Sequence, residues 1–254
     1  MIVATALITG ASSGLGEEFA WHLATAGRDV VLVARSRDRL SETAELLAGA
    51  TGVNVEVLVA DLSTPEGLRS VATRLSDEHH PIDLLINNAG YGLKAGFLTT
   101  SVEDEVEALD VMVRAVLVLS HAASQSMTAR GHGAILNVSS VAGWLGNGSY
   151  AAHKAWVTSF TEGLATQLRG TGVSATAVLP GLTHTEFHER AGLEAYEELP
   201  EVAWLEPEDV VSAALAAVRR KQVLVTPSAR YGALTSVVRV LPRSWVRAAN
   251  RRSR

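Results

Sequence analysis

The stretch Thr9-Gly10-Ala11-Ser12-Ser13-Gly14-Leu15-Gly16 follows a short apolar run, Ala4–Ile8, and precedes a helical pattern that begins near Leu15. This order predicts a strand, a glycine turn and the start of a helix. Glycine has no β carbon, so a turn with glycines at these spacings can bend sharply and approach a ligand closely. Its backbone N–H groups, at the N-terminus of a helix, can bind a phosphate, and we expect that phosphate to belong to a dinucleotide.

Strand patterns and helix patterns alternate along the chain as far as residue 179. The further predicted strands are Val30–Ala34, Val53–Ala60, Ile82–Ile86, Ala134–Val138 and Val173–Leu179. The predicted helices are Leu15–Ala26, Asp38–Ala48, Glu66–Glu78, Val102–Ala129 and Tyr150–Leu168. Strict alternation, with strands that are apolar almost throughout, predicts a doubly wound α/β fold in which helices cover both faces of a parallel sheet.

Length and composition limit the possible classes of protein. A chain of 254 residues with 47% hydrophobic residues can bury a large core, and we expect one domain. The absence of cysteine excludes disulfides, thiolate catalysis and cysteine zinc sites. No apolar run approaches the ~20 residues of a membrane span, and the first strand begins too close to Met1 for a signal peptide. We therefore expect a soluble, cytoplasmic protein.

The net charge of −5 is unevenly distributed, because residues 239–254 hold six arginines and no acidic residue. The rest of the chain is therefore acidic, which argues against nucleic acid as a partner. Apolar residues and arginines recur at helical spacing over Leu234–Arg251, with a break expected at Pro242. We divide the chain into a catalytic domain, 1–228, and a basic amphipathic extension, 229–254. The extension should dock on an acidic surface of a neighbouring subunit rather than on an anionic membrane; a frayed tail is the alternative.

The residue after the second strand indicates which coenzyme is bound. An acid at this position binds a ribose 2′-hydroxyl, whereas an arginine accommodates a 2′-phosphate. Arg35 occupies it, with Arg37 and Arg39 close by, so NADP is favoured over NAD. Asp61-Leu62 and Asn87-Asn88-Ala89-Gly90 follow the next two strands, at the edge where open α/β sheets bind ligands. Asp61 is a candidate acceptor for the adenine amino group, and Asn88 for the adenosine side.

Tyr150 and Lys154 are four residues apart, which places them on one face of a helix. A tyrosine usually titrates near pH ~10, and a nearby ammonium group and an oxidised nicotinamide should together lower that pKa, because both favour the phenolate. Tyr150 is therefore a candidate acid or base. Ser140, after the fifth strand, is the candidate that holds the substrate oxygen, while the coenzyme transfers a hydride.

Taken together in order, these motifs resemble the short-chain dehydrogenase/reductase family over roughly residues 4 to 228. The resemblance implies a Rossmann fold with strand order 3-2-1-4-5-6-7, hydride transfer between NAD(P) and a carbonyl or alcohol, and a homodimer or homotetramer. It assigns Ser140, Tyr150 and Lys154 to catalysis, with Lys154 also binding the nicotinamide ribose. The coenzyme-binding residues that it implies are Gly10, Ser12, Ser13, Gly14, Leu15, Gly16, Arg35, Asp61, Leu62, Asn88, Ala89, Gly90, Tyr150, Lys154, Pro180, Gly181, Thr183 and Thr185.

Two features depart from the family pattern. Met112 stands where relatives have an asparagine that completes a proton relay to the lysine, so we expect a slowed or rerouted relay. Ser140 and Tyr150 are only ten positions apart, roughly three fewer than in relatives, which leaves Ser139 and Ser149 as alternatives to Ser140. These departures keep open a rival interpretation, a catalytically impaired NADP-binding sensor or scaffold.

The segment 184–205 is acidic and contains scattered aromatic and aliphatic residues, and in the family this region closes over the substrate. With Trp144, such residues suggest a small or medium hydrophobic substrate, or else they anchor the segment to the core. His184, Glu186 and His188 alternate there, and we expect them to be solvated rather than bound to a metal. The sequence thus predicts an NADP-dependent oxidoreductase that acts on a hydrophobic carbonyl or alcohol.

Overall fold

In a computed structural model the described residues are 4–93, 96–186 and 200–252, with Arg247 and 249–252 described by their backbone alone. The strands are β1 (Thr5–Thr9), β2 (Val30–Ala34), β3 (Val55–Val59), β4 (Ile82–Asn87), β5 (Gly133–Val138), β6 (Val173–Val178) and β7 (Leu224–Val225). They form one parallel sheet in the order β3-β2-β1-β4-β5-β6-β7. The predicted doubly wound Rossmann fold and its strand order are confirmed. The two residues of β7 are too few to form a pattern in the sequence.

Helices connect the strands and cover the sheet. They are α1 (Gly14–Thr25), α2 (Arg37–Thr51), α3 (Pro65–Leu75), α4 (Val102–Leu109), α5 (Ala115–Arg130), α6 (Gly148–Gln167), α7 (Pro207–Arg219), α8 (Ala229–Val240) and α9 (Arg243–Arg252). Capping residues explain where several of these helices begin. Before α3, for example, the Thr64 hydroxyl accepts the Gly67 N–H at 3.1 Å, and Pro65 occupies the first helical position, where its missing N–H costs nothing.

The core lies on both faces of the sheet, because successive residues of a strand point to opposite sides. Ala6 and Ile8 of β1 pack with Phe19 and other residues of α1 and α7 in one hydrophobic layer. Leu7, between them, belongs to the second layer, which α3, α5 and α6 cover. A strand buried on both faces has no polar side, which accounts for the continuous apolar runs in the sequence.

The helix predicted over Val102–Ala129 is not uniform. A π-helical segment, Asp110–Arg114, separates α4 from α5, and the Ala115 N–H bonds to the carbonyl of Asp110, five residues earlier. Apolar periodicity cannot distinguish this wider turn from an α-helix, since the same face stays buried. Short π segments are frequent at functional sites, and this one contains Met112.

The two C-terminal helices pack against the chain itself. α8 ends at Val240, Leu241 is extended, and α9 begins after Pro242, as the sequence predicted. The Arg239 guanidinium lies 4.8 Å from the centre of the Trp144 ring, and Arg243 Nη1 donates to the Trp144 carbonyl at 2.9 Å. Two of these arginines thus contact an indole and a backbone carbonyl of the same chain, and docking of the extension on an acidic surface of a neighbouring subunit stays a prediction. A cation attracts an aromatic face without any anionic partner.

Across the described residues, none of the helices has the length and apolar character that crossing a bilayer requires. The sheet and its connections extend from Thr5 to Val225. The division of the chain into 1–228 and 229–254 stays a prediction. Residues 187–199, which form most of the segment 184–205 and include His188, lie outside the described residues.

Candidate active site

A cavity of about 1020 Å³ follows the carboxyl ends of the strands. It is formed by the loops after β1 to β6, where open α/β sheets bind ligands. Of the predicted site residues, all except Gly16 line it. They are Gly10, Ser12, Ser13, Gly14, Leu15, Arg35, Asp61, Leu62, Asn88, Ala89, Gly90, Ser140, Tyr150, Lys154, Pro180, Gly181, Thr183 and Thr185.

The glycine turn between β1 and α1 forms one wall. Gly10 and Gly14 have φ of 67° and 55°, a left-handed conformation that side chains strongly disfavour. A β carbon at Gly14 would lie 3.3 Å from the Thr185 side chain on the opposite wall and would narrow the cavity. Gly16 lies behind this wall, where a β carbon would overlap the Gly10 carbonyl. Its glycine is therefore explained by close packing of α1 on the turn.

Hydrogen bonds from the neighbouring strand hold this turn in place. The Thr9 hydroxyl accepts the N–H groups of Asn88 and Ala89 at 3.0 and 3.1 Å. Asn88 Nδ2 in turn donates to the Thr9 and Gly10 carbonyls at 2.9 and 3.3 Å. The amide of Asn88 thus already has backbone partners in the turn, so its structural contribution is to fix the glycine loop against β4.

A network of hydrogen-bonded buried amides lies beneath the site and was not predicted from the sequence. Asn87 Nδ2 donates to Asn137 Oδ1 at 2.9 Å and to the Ser120 hydroxyl at 3.0 Å, and Asn137 Nδ2 donates to the Thr161 hydroxyl at 2.9 Å. These bonds connect β4, β5, α5 and α6. A signal was present, because a buried asparagine at the end of an apolar strand needs a partner.

The arginines that follow β2 lie at one end of the cavity. Arg35, Ser36 and Arg39 line it, whereas the exposed Arg37 lies outside the lining. Arg35 pairs with Glu107 at 3.4 Å, and Arg39 Nη2 pairs with Glu186 at 3.1 Å. This end therefore presents two guanidinium groups, which suit a phosphate.

A dinucleotide fits these residues. The Ser13 side chain, at the N-cap of α1, does not cap the helix, so it leaves the first-turn N–H groups facing the cavity to other acceptors. Asp61 Oδ1 already accepts from the N–H and hydroxyl of Ser63, at 2.9 and 2.7 Å. Its second carboxylate oxygen is the candidate acceptor for the adenine amino group. The glycine turn lets a ligand approach closely, and the helix N-terminal amides and the guanidinium groups are donors suited to a pyrophosphate and a 2′-phosphate.

Ser140, Tyr150 and Lys154 come together at the other end of the cavity. The Tyr150 hydroxyl is hydrogen-bonded to the Ser140 hydroxyl. Lys154 Nζ lies 5.7 Å from the centre of the Tyr150 ring and donates to the Val138 carbonyl at 2.8 Å. The four-residue spacing on α6 therefore places the phenol and the ammonium at one site.

The expected lowering of the Tyr150 pKa is wrong for the protein without coenzyme. Burial raises the pKa of Tyr150 to about 12, and the hydrogen bond from Ser140 only partly offsets this effect. Burial also lowers the pKa of Lys154 to about 8. The desolvation of both groups opposes their charged forms. Tyr150 is thus a protonated phenol over the whole ordinary pH range.

The hydrogen-bond partners also distinguish the three serines that are candidates for holding the substrate oxygen. The Ser139 hydroxyl is buried and hydrogen-bonded to the Lys154 carbonyl and the Thr158 hydroxyl, both at 2.7 Å. Ser149 lines the cavity and precedes Tyr150 on the first turn of α6. Ser140 is the candidate whose hydroxyl bonds to Tyr150, and its position is fixed by the N–H of Ala142 at 3.1 Å.

Met112 is buried near Lys154, in the π-helical segment. A β carbon at Gly90 would lie 3.3 Å from the Met112 side chain and 3.4 Å from Lys154 Nζ, so the three groups adjoin. The thioether accepts hydrogen bonds weakly and donates none. Met112 therefore provides no side-chain hydrogen-bond donor at the position where relatives have the asparagine amide of the proton relay.

The segment after β6 is attached to Tyr231 of α8, a residue that was not predicted to belong to the site. Tyr231 of α8 packs where a β carbon on Gly181 would overlap its ring, which explains the glycine at that position. The Tyr231 hydroxyl accepts the Leu182 N–H at 3.2 Å and donates to the Ala203 carbonyl at 2.7 Å. No sequence pattern relates residues so far apart.

A family model described as short chain dehydrogenase matches residues 4–195 of the chain. The chain belongs to the short-chain dehydrogenase family. It is accordingly an oxidoreductase that binds a nicotinamide coenzyme. This short-chain dehydrogenase is 37% identical, over 186 residues, to sulfoacetaldehyde reductase 2 of Chromohalobacter salexigens, covering 71% of this chain and 73% of that protein.

Solved structures of similar proteins contain both coenzymes. A short-chain dehydrogenase from Sphingobium yanoikuyae in complex with NADPH matches with a TM-score of 0.85 and 38% identity, covering 92% of this chain and 93% of its own. A short-chain dehydrogenase/reductase from Burkholderia phymatum in complex with NAD matches with a TM-score of 0.82 and 26% identity, covering 94% and 92%. Membership of the family therefore does not decide between NAD and NADP, and the choice depends on residues such as Arg35 and Arg39.

Proposed function

We propose that this short-chain dehydrogenase transfers a hydride between NADP(H) and a hydrophobic carbonyl or alcohol. The observation that carries the proposal is one continuous cavity with two arginines at one end and the Ser140, Tyr150 and Lys154 cluster at the other. An oxidoreductase site needs both a coenzyme-binding surface and a proton donor, and this cavity offers candidates for each.

The chain would hold NADP through groups that lie along this cavity. The glycine turn and the first turn of α1 offer N–H groups to the pyrophosphate. Arg35 and Arg39 would bind the 2′-phosphate, with Asp61 and Asn88 on the adenosine side. Thr183 and Thr185, after β6, also line the cavity and would hold the carboxamide. The NADPH complex of the Sphingobium protein supports this assignment.

The chain's own groups supply the proton chemistry. When bound, the coenzyme supplies or accepts the hydride. In the direction of reduction, the hydroxyls of Ser140 and Tyr150 orient the carbonyl oxygen, and the Tyr150 O–H gives that oxygen its proton. The raised pKa of Tyr150 keeps the phenol protonated, as a donor must be. The Lys154 ammonium stabilises the phenolate that remains until solvent returns a proton.

Apolar groups around the catalytic end support a hydrophobic substrate. Leu93, Phe97, Val141, Trp144 and Leu145 line this part of the cavity. Sites of this kind bind ligands mainly by burying apolar surface, and a few polar groups orient them.

Oxidation of NADPH in the presence of a panel of aldehydes and ketones tests the proposal. The wild type should reduce a hydrophobic carbonyl, and Tyr150→Phe should lower kcat by ~10²–10⁴-fold while NADPH still binds. Tyr91→Phe is a matched control, because its hydroxyl bonds to Glu107 at the arginine end, and it should retain most activity. Full activity in Tyr150→Phe would refute the assigned proton donor.

The coenzyme preference is tested by two matched substitutions. Arg39→Gln should weaken NADPH binding by ~10-fold, the low end for a lost charge-assisted hydrogen bond at a half-exposed site, and should leave NADH binding unchanged. Arg37→Gln removes the same charge two residues away, outside the lining, and should change neither affinity. Tighter binding of NADH than NADPH by the wild type would overturn the NADP proposal.

We also propose that the protein is a homodimer or homotetramer. Val102, Val106 and Leu109 form an exposed apolar stripe on α4, a surface that association would bury. Light scattering of the full chain measures the mass directly, and a monomer at micromolar concentration would contradict this proposal.

A further inference from the structure

One wall of the catalytic end of the cavity comes from the C-terminal part of the chain. Tyr231, Leu234, Thr235 and Val238 of α8 all line the cavity that contains Tyr150. Their spacing of three, four and seven residues places them on one face of the helix. The neighbouring Val237 points away and is 54% exposed. α8 therefore presents a defined face to the cavity, which a frayed tail would not do.

This wall is attached to the loop that carries Trp144, between Ser140 and Tyr150. The Arg239 guanidinium lies over the Trp144 ring at 4.8 Å, and Arg243 Nη1 donates to the Trp144 carbonyl at 2.9 Å. Gly146 of the same loop and Gly148, the first residue of α6, have φ of 65° and 77°, conformations in which the chain turns sharply. Two arginines from the C-terminal helices thus fix the position of a large apolar side chain next to the catalytic groups.

The other end of α8 is also attached. The Tyr231 hydroxyl is hydrogen-bonded to the backbone of Leu182 and of Ala203. These two residues precede and follow residues 187–199 in the sequence. The Tyr231 ring fills the space that the missing β carbon of Gly181 leaves. With contacts at Tyr231, Arg239 and Arg243, α8 is held along its length.

We infer that the face of α8, together with Trp144, determines the size of the apolar substituent that the substrate pocket accepts. The inference rests on the proposed function and names its substrate class: a carbonyl compound with a bulky, uncharged, apolar substituent next to the reacting carbon. Leu234, Val238 and Trp144 offer that substituent apolar surface. Arg239 and Arg243 are positioning residues, which act by holding Trp144.

The first experiment changes the wall in both directions at one position. Val238→Ala enlarges the pocket and should raise the ratio of kcat/KM for a large aryl ketone to kcat/KM for a small aliphatic aldehyde by ~10-fold. Val238→Phe should lower that ratio by at least ~10-fold, since a pocket discriminates a methylene group by about this factor. Val237→Ala and Val237→Phe are controls at an exposed position of the same helix outside the cavity lining, and the ratio should stay at the wild-type value.

The second experiment tests the positioning of Trp144. Arg239→Gln should raise KM for the large ketone by ~3-fold and leave kcat for the small aldehyde unchanged, which matches the strength of an exposed cation–π contact. Arg239→Lys keeps a cation over the indole and should restore the KM. A merely structural role would lower both activities together, without rescue by lysine.

The outcomes separate this inference from the proposed function. If the wild type reduces members of the panel but the Val238 and Val237 variants give the same ratios, α8 is not a specificity wall and the proposed function stands. Equal effects of Arg239→Gln and Arg239→Lys would overturn the role of the cation. If the wild type oxidises neither NADPH nor NADH with any carbonyl, the proposed function fails and the inference fails with it.

Discussion

Replacement of Glu186 by glutamine should tighten the binding of NADPH and leave the binding of NADH unchanged. Glu186 pairs with Arg39 Nη2 at 3.1 Å, so the carboxylate occupies the guanidinium that we assign to the 2′-phosphate. NADPH must displace the carboxylate before Arg39 can bind the phosphate. NADH has no 2′-phosphate, so it can bind without displacing the carboxylate from Arg39.

The exposure of the pair limits the size of the effect. The Arg39 and Glu186 side chains are 47% and 45% exposed, so water screens their attraction. Pairs of this kind contribute ~0.2–1 kcal/mol, which corresponds to a factor of ~1.4–5 in a binding constant. The Kd for NADPH should therefore fall by ~3-fold. The difference should shrink in ~1 M salt, where the screening length is ~3 Å.

Isothermal titration calorimetry with both coenzymes measures these changes. Glu56→Gln is the matched control, because Glu56 pairs with Arg74 at 2.9 Å, outside the cavity lining, and its loss should change neither Kd. An equal change for NADPH and NADH would show that Arg39 does not select the phosphate. Weaker NADPH binding would show that Glu186 supports the bound coenzyme instead of competing with it.

Three further predictions concern the turn, the relay and pH. Gly16→Ala forces a β carbon onto the Gly10 carbonyl, and such overpacking should cost ~1–3 kcal/mol and lower Tm by ~2–12 °C in thermal denaturation. Titration with coenzyme should show a loss of binding. Met112→Asn supplies an amide beside Lys154 and should raise the turnover number in steady-state assays. In a pH series, kcat/KM for carbonyl reduction should fall above pH about 8, where Lys154 loses its charge, since Tyr150 stays protonated to about 12.

Each of these predictions has its own control. Gly49 is an exposed residue of α2 with open space where a β carbon would lie, so Gly49→Ala should leave Tm unchanged or raise it. An equal fall in both alanine variants would contradict the packing argument. Met112→Leu keeps the volume without an amide and should not gain turnover. An unchanged or lower rate in Met112→Asn would remove the relay from the account. A kcat/KM that stays level to pH 10 would show that the lysine charge is not required.

Local patterns in the chain were sufficient for the fold and for most of the candidate site. Strand β2 is recognisable because burial on both faces excludes polar residues from Val30–Ala34. The turn at Gly10–Gly16 and the pair Tyr150 and Lys154 are recognisable because the groups that cooperate are close in sequence. The remaining residues were implied by the resemblance to the family, and they reach the same cavity because parallel strands end at the same edge of the sheet.

The sequence by itself thus determined the alternation of strands and helices and the chemical types at the site, because these depend on neighbours along the chain. The order of the strands in the sheet followed from the resemblance to the family. Only the tertiary structure decided the pKa of Tyr150, which burial raises, and the partner of Ser139, which separates it from Ser140. It alone placed α8 against Trp144 through Arg239. Desolvation, hydrogen-bond geometry and contacts across some ninety residues depend on how packed elements meet in space, and no local pattern of residue types encodes them.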